Sequence, residues 1–189
     1  MHKGRIRRMF AGGNTSRGFY SYFDNIIDQE EAERIFILKG GPGTGKSTFI
    51  KEIGKEMAGR GYDIEFIHCS NDCESLDGAL IPELKTVLVD GTAPHVVEPK
   101  NPGTVDVIIN LGDFWDDECI RRYKKEIHDE GSEKRELYKR AYRYIKAASC
   151  IHEDSAAIYG RAVDRAKVNM EAERLAEEIF GFTGIAEKE

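Results

Sequence analysis

Gly40-Gly41-Pro42-Gly43-Thr44-Gly45-Lys46-Ser47-Thr48 is the stretch of this chain with the clearest chemistry, and it fits the phosphate-binding spacing G-x-x-x-x-G-K-[ST] without a mismatch. Gly40, Gly41, Gly43 and Gly45 lack a Cβ, which frees the backbone to point N–H groups inward at an anion. A helix starting near Lys46 would aim its open N–H groups and positive dipole end at the same place. Lys46 is then expected to reach the β- and γ-phosphates of a nucleoside triphosphate. Ser47 is expected to ligate Mg2+, and Thr48 to cap the helix or pack beside it.

Such a site needs an acid opposite the serine. Thr86-Val-Leu-Val-Asp90 is an apolar run ending in a carboxylate, the form of a strand that delivers an acid to the metal shell, so Asp90 is the expected second Mg2+ ligand. Asp113 competes for that role if Val105–Leu111 is a strand. Its alternation of Val105, Val107, Ile109 and Leu111 suits a strand, while Val105, Ile108 and Ile109 also suit a helical turn. The polar stretch from Cys69 to Asp77 follows a strand, where ligands of open α/β sheets bind. Asp72, Glu74 and Asp77 are candidates there, with Asp72 the candidate to orient an attacking water and the plainer reading a cap or turn. His68, Cys69 and Cys73 also invite a metal reading, but no second Cys/His pair lies near them in sequence. His95, in a loop, is given no role. Arg17 could meet phosphate from a glycine-rich loop, although a solvated arginine is the simpler reading. No arginine finger stands out; Arg8, Arg17 or an arginine from another P-loop unit could serve.

The elements that position these residues read as follows. Residues 5 to 11 suit a short strand, Gly12–Gly18 a turn or loop, and Phe19–Ile27 a short aromatic helix beside the loop strand, with base stacking as a second use. Ile35–Lys39 is a strand. Residues 46–58 form an amphipathic helix with Phe49, Ile50, Ile53 and Met57 on one face, ended by Gly59-Arg-Gly61. Tyr62–His68 is a second strand, which makes a βαβ unit with parallel strands. Leu76, Leu80, Ile81 and Leu84 suit a short helical stretch around Pro82. Residues 91 to 103, with Pro94, Pro99 and Pro102, read as a loop over the site. Trp115 packs where the chain leaves the sheet.

From Asp116 onward the pattern is helical. Gly131 is expected to break it, with Ser132 capping a helix from 133 to about 167, roughly 50 Å long. Leu137, Ala141, Tyr144, Ala148, Ile151, Ser155, Ile158 and Ala162 repeat in steps of four and three, a coiled-coil stripe. Asn169 is expected to cap a last helix containing Leu175, Ile179 and Phe180. Arg135, Lys139, Arg143 and Lys146, with Tyr138 and Tyr142 between them, form a basic face that could meet nucleic acid or a partner; acids such as Glu126 and Glu136 make a solvated face the plainer reading.

Composition bounds the rest. A chain of 189 residues with 40% hydrophobic and 33% charged residues can bury a full core and still carry exposed helices. A net charge of −6 argues against a generally nucleic-acid-binding protein. No apolar run approaches membrane-spanning length. Lys3, Arg5, Arg7 and Arg8 precede no apolar h-region, so no secretory signal is read. Cys69, Cys73, Cys119 and Cys150 beside a nucleotide motif point to reduced thiols and a cytoplasmic location. The expected organisation is an α/β nucleotide-binding core over 1–114, a P-loop-type parallel sheet flanked by helices, and a helical extension over 115–189 forming a hairpin or coiled-coil-like projection.

Several segments together carry a resemblance: Arg7-Arg-Met-Phe-Ala-Gly-Gly-Asn-Thr-Ser-Arg-Gly-Phe-Tyr20, Leu38–Ser47, Leu76-Asp-Gly with Ile81-Pro-Glu-Leu84, Asp90-Gly-Thr-Ala-Pro-His95 and Asn110-Leu-Gly-Asp-Phe-Trp115. The chain resembles an uncharacterised family of bacterial P-loop ATPases over nearly its whole length. Members look like tandem duplications of a P-loop half, and this chain resembles the N-terminal half, ending at Ile185–Glu189 before any second P-loop. The resemblance implies Lys46 and Ser47 as P-loop residues and identifies neither the metal-binding acid nor a catalytic base.

The leading expectation is ATP binding and Mg2+-dependent hydrolysis of the terminal phosphoanhydride, with Lys46, Asp90 and Asp72 as catalytic residues and a second P-loop half or second copy as a possible partner. A kinase acting on a nucleotide or other small molecule, with the 91–104 loop and the helical segment forming a lid and acceptor site, is an alternative. Another is an ATP-dependent binding module for protein or nucleic acid with little turnover.

Overall fold

The structure is a computed structural model and describes residues 3–181. Among them the chain divides into two compact units, with the division between Ile145 and Lys146.

The first unit is built on a six-stranded, mostly parallel sheet. In chain order its strands are β1 (Ile6–Met9), β4 (Arg34–Lys39), β5 (Ile64–His68), β6 (Leu76–Ile81), β7 (Thr86–Asp90) and β8 (Asp106–Asn110), and their spatial order is β1-β5-β6-β7-β4-β8. The remaining pair, β2 (Gly12–Thr15) and β3 (Gly18–Ser21), forms a separate antiparallel hairpin. β1 runs parallel to β5, and β4 runs parallel to both β7 and β8; β6 is antiparallel to both its neighbours. Five strands therefore point one way and β6 points back.

Alternation along β4 separates two apolar layers. Leu38 packs with Ile50 and Ala58 of helix α1 (Lys46–Gly59), together with Ile64, Phe66, Leu76, Ala79, Ile81 and Leu88. Ile35 and Ile37 face the other way, onto Ala11, Phe23, Ala32, Ile67, Val87 and Val89. Helix α1 therefore covers one face, while the region of the hairpin, the 3-10 turn Phe23–Asn25 and the start of the 91–103 loop cover the other.

Several expectations change. The segment Phe19–Ile27 is helical only in the 3-10 turn Phe23–Asn25. Gly18, at φ 105°, closes a tight turn, and β3 then alternates with Phe19 inward and Tyr20 exposed. The Gly12–Gly18 stretch read as a loop is most of that hairpin. Of Leu76–Leu84, only the part from Pro82 onward is helical. Leu76–Ile81 is an interior strand buried on both faces, and Pro82 opens the 3-10 turn Pro82–Leu84. β4 and β5 run the same way, as the βαβ reading requires, but β6 and β7 lie between them. Val105–Leu111 resolves as the strand β8, and residues 5–11 supply the edge strand β1.

Short helix α2 (Asp117–Arg122) is capped by the Asp116 carboxylate, which accepts from Cys119 N at 2.9 Å. Helix α3 (Lys124–Ala162) runs unbroken through Gly131. One glycine in a long helix costs only about 1 kcal/mol, and Ser132 accepts from the Arg135 guanidinium at 2.8 Å instead of capping a new helix. Helix α4 (Arg165–Phe180) starts earlier than expected because Asp164, not Asn169, caps it through Lys167 N. Neither long helix has a buried residue, and Leu137, Tyr144, Ile151 and Ile158 of the coiled-coil stripe are exposed. From residue 182, the expected extension lies outside the described residues. No helix among the described residues is long and apolar enough to cross a membrane.

The seating of α1 on the sheet depends on Gly54. A Cβ there would come 2.3 Å from Cε1 of Phe66, a ring only 2% exposed and unable to yield. Gly54→Ala should therefore destabilise the protein by about 1–3 kcal/mol through overpacking, although helix propensity alone favours alanine by about 1 kcal/mol. Urea denaturation of the two proteins measures the sign.

Candidate functional site

β4 ends at Lys39, and the chain turns through Gly40–Gly45 into α1. Gly40, Gly43 and Gly45 take φ values of 141°, 79° and 87°, which side chains rarely tolerate. Gly45 occupies the N-cap position, and no side chain caps the helix there, so Thr48 does not take the capping role. The Thr44 hydroxyl donates to Gly41 O at 2.8 Å and closes the loop on itself.

Lys46 is 8% exposed. Its ammonium donates to Gly40 O at 2.7 Å and Gly41 O at 3.0 Å, and lies 3.7 Å from Asp90 Oδ2. The pairing of β4 with β7 sets Asp90 opposite Leu38 and so brings the acid to the loop. Asp90 Oδ1 accepts from Thr92 N at 2.9 Å and Thr92 Oγ1 at 2.6 Å, which leaves Oδ2 turned toward the lysine. Ser47 Oγ accepts from Leu76 N at 2.8 Å. Its proton and second lone pair remain for another partner.

Asp113 is exposed and accepts from Asn110 Nδ2 at 2.5 Å, within the 3-10 turn Leu111–Phe114 after β8. Asp72 is exposed and its carboxylate accepts from Glu74 N, a local turn contact. Asp90, not these two, is the acid with a contact to the lysine. His68 meets Cys73 O through Nδ1 and the Arg8 guanidinium through Nε2. Among the described residues no group of three His, Cys, Asp or Glu side chains could hold a metal, and all four cysteines are free. Burial pushes the Cys69 thiol above its usual value. On the basic face, Lys139 pairs with Glu136 at 2.7 Å, and Tyr142 donates to Asn14 Oδ1 at 2.7 Å.

His95, given no role from the sequence, is buried, at 5% exposed. Its Nε2 lies 3.0 Å from Asp77 Oδ2, its Nδ1 lies 2.9 Å from Asp90 O, and its ring stacks on Phe23 at 4.3 Å. A ring that meets an oxygen acceptor at each nitrogen is satisfied as an imidazolium. Burial alone would lower its pKa. The hydrogen bond and charge of Asp77, with the charge of Asp90, outweigh that and raise it above the usual histidine value. Nothing local marks His95, because its partner Asp77 sits on the strand that reads as a helix.

The 91–103 loop is tied down by this histidine and by Lys39, whose ammonium donates to Gly91 O, Val97 O and Glu98 Oε1 at 2.8, 2.8 and 2.6 Å. A scan against protein-family models and searches of curated proteins and of solved structures return no match.

Removing the imidazole with His95→Ala leaves Asp77 buried without its charge partner and should cost about 3–5 kcal/mol. The folded-state pKa lies above the unfolded one, so the histidine's contribution is present in full below about pH 6.5 and is lost as pH rises through the raised value. The denaturation midpoint of the natural protein should fall between about pH 6 and pH 9 by more than that of His95→Gln. Parallel curves for the two proteins would contradict the buried imidazolium.

Proposed function

We propose that this chain is a P-loop ATPase unit that hydrolyses the terminal phosphoanhydride of ATP with Mg2+, and that it belongs with the tandem P-loop ATPases it resembles. The observation that carries the reading is the buried Lys46 ammonium, held on the carbonyls of a positive-φ glycine loop 3.7 Å from Asp90. Lysine curled onto its own loop is a cation waiting for a better anion. Exchanging two carbonyl partners for phosphate oxygens replaces neutral acceptors by charged ones, which bind more strongly.

The oxygens available fit a hard divalent ion. Ser47 Oγ keeps a free lone pair, and Asp90 Oδ2 has its nearest cation beyond hydrogen-bond distance. Mg2+, when bound by Ser47 and Asp90, supplies charge neutralisation to the phosphates. Lys46 and the loop amides hold the β- and γ-phosphates. Water attacks the terminal phosphorus, the bond to the bridging oxygen breaks, and the loop and lysine stabilise the charge that moves onto the departing diphosphate. Asp72 stands as the candidate to orient that water only through its place after β5, since its carboxylate is engaged in a turn. The kinase reading asks the 91–104 loop, with the helical segment, to form a lid and acceptor site; the anchoring of that loop at Gly91, His95, Val97 and Glu98 favours the ATPase reading over it.

Lys46→Ala should lower ATP turnover by orders of magnitude, measured as phosphate release; undiminished hydrolysis would sink the assignment. Asp90→Asn should raise the Mg2+ concentration needed for half-maximal rate about tenfold or more, whereas Asp113→Asn should leave it near that of the natural protein. The reverse ranking would move the metal to Asp113.

A further inference from the structure

Gly41 is the one glycine of the loop whose identity the phosphate spacing leaves open and whose φ lies outside the left-handed region. Its lack of a side chain has another cause. A Cβ at Gly41 would come 2.8 Å from Cη2 and 3.3 Å from Cζ2 of Trp115. The indole rests directly on the loop residue whose carbonyl receives the Lys46 ammonium.

Trp115 is held there from the sheet. β8 pairs with β4 so that Asn110 stands opposite Lys39, immediately before the loop. Asn110 then organises the turn that follows: its Oδ1 accepts from Gly112 N at 3.0 Å, its Nδ2 donates to Asp113, and Trp115 N donates to Gly112 O at 3.1 Å. Trp115 is 38% exposed, and among the described residues its Nε1–H makes no hydrogen bond. The ring meets the loop through its six-membered part, at Cη2 and Cζ2; Nε1 is two bonds from Cζ2 and lies beyond 4 Å of that Cβ position. An indole N–H is a donor with no acceptor capacity, suited to an anion.

We propose that Trp115 is a phosphate-contacting residue of this site, its Nε1–H donating to an oxygen of the terminal phosphoryl group of a bound nucleoside triphosphate. This rests on the ATPase reading above. It gives the loop a donor from the turn after β8, in addition to those of its own backbone and of Lys46, and it makes the site distinguish triphosphate from diphosphate. The base plays no part in the contact.

Trp115 is the sole tryptophan, so its fluorescence reports the contact directly. Titration of the full chain with a non-hydrolysable ATP analogue and Mg2+ should change the emission, the corresponding GTP analogue should change it alike at saturation, and ADP should change it little. Calorimetry of Trp115→Phe, which keeps a ring and loses the N–H, should show about tenfold weaker triphosphate binding with diphosphate affinity unchanged, as expected for one hydrogen bond to a charged group. Gly41→Ala, which forces the indole off the loop, should reproduce the loss with Trp115 intact. An emission change that follows the base instead of the phosphate number, or an unchanged triphosphate-to-diphosphate ratio in both variants, overturns the proposal. If the natural protein binds no nucleotide at all, the ATPase reading falls with it. If nucleotide binds and Lys46→Ala weakens it while both variants behave as the natural protein does, only the Trp115 proposal falls.

Discussion

A lysine ammonium with almost no access to water has to be solvated by the protein, and at Lys46 this requirement fixes much of the first unit. Burying an unpaired cation costs several kcal/mol. Gly40 O, Gly41 O and the Asp90 carboxylate share that work, and they come from a loop and from the end of a neighbouring strand. The loop must wrap inward to offer its carbonyls, which takes the positive φ values at Gly40, Gly43 and Gly45. β7 must pair with β4 in the register that sets Asp90 opposite Leu38. A change in either would strand the charge, so the local shape of the loop and the non-local pairing of the strands are coupled through one side chain.

Asp90 is the junction between this cation and the buried His95 ring. Its carboxylate faces Lys46, while its backbone carbonyl faces the His95 ring, whose far nitrogen is held by Asp77. Thr92 then clamps the carboxylate through backbone and hydroxyl together. Buried ion pairs of this kind are poor sources of stability compared with apolar packing, and they specify geometry at some cost. Here the geometry they specify is the orientation of one carboxylate at the end of β7, which is what a metal-binding acid needs.

The legible and illegible parts of the sequence divide along the range of the forces involved. Residues 34–59 were readable because the loop chemistry, the apolar strand before it and the amphipathic helix after it are all local. Thr86–Asp90 was readable as an apolar run closed by an acid. Leu76-Asp-Gly-Ala-Leu-Ile was not: a strand buried on both faces shows no alternation, and Leu76, Leu80 and Leu84 happen to fall at helical spacing. Only its neighbours β5 and β7 make it a strand. With β6 missed, Asp77 had no visible burial and His95 no visible partner. At Phe19–Ile27 the aromatic content suggested one packed helix face, whereas the turn at Gly18 sends Phe19 inward and Tyr20 out. Gly131 and Ser132 gave a genuine local signal for a helix break, and a penalty of about 1 kcal/mol was too weak to enforce it against the long helical run on either side.

The reversed strand is also what completes the site. β4, β7 and β8 run in one direction, so the glycine loop, Asp90 and the Asn110 turn that holds Trp115 all leave the sheet at the same edge. A parallel strand in the β6 position would end there too and offer a carbonyl-terminated exit. Running backwards, β6 begins at that edge, and its first residue presents an N–H: Leu76 N donates to Ser47 Oγ, and Asp77, one residue on, reaches the histidine that holds Asp90. The hydroxyl that would face the metal is therefore oriented by a donor that leaves a lone pair open, and the backbone of the residue that bears the opposing carboxylate is steadied, through His95, by the next residue of the same strand. One strand entering from the wrong direction thus positions both proposed metal ligands, which an all-parallel arrangement of the same strands would leave without that support.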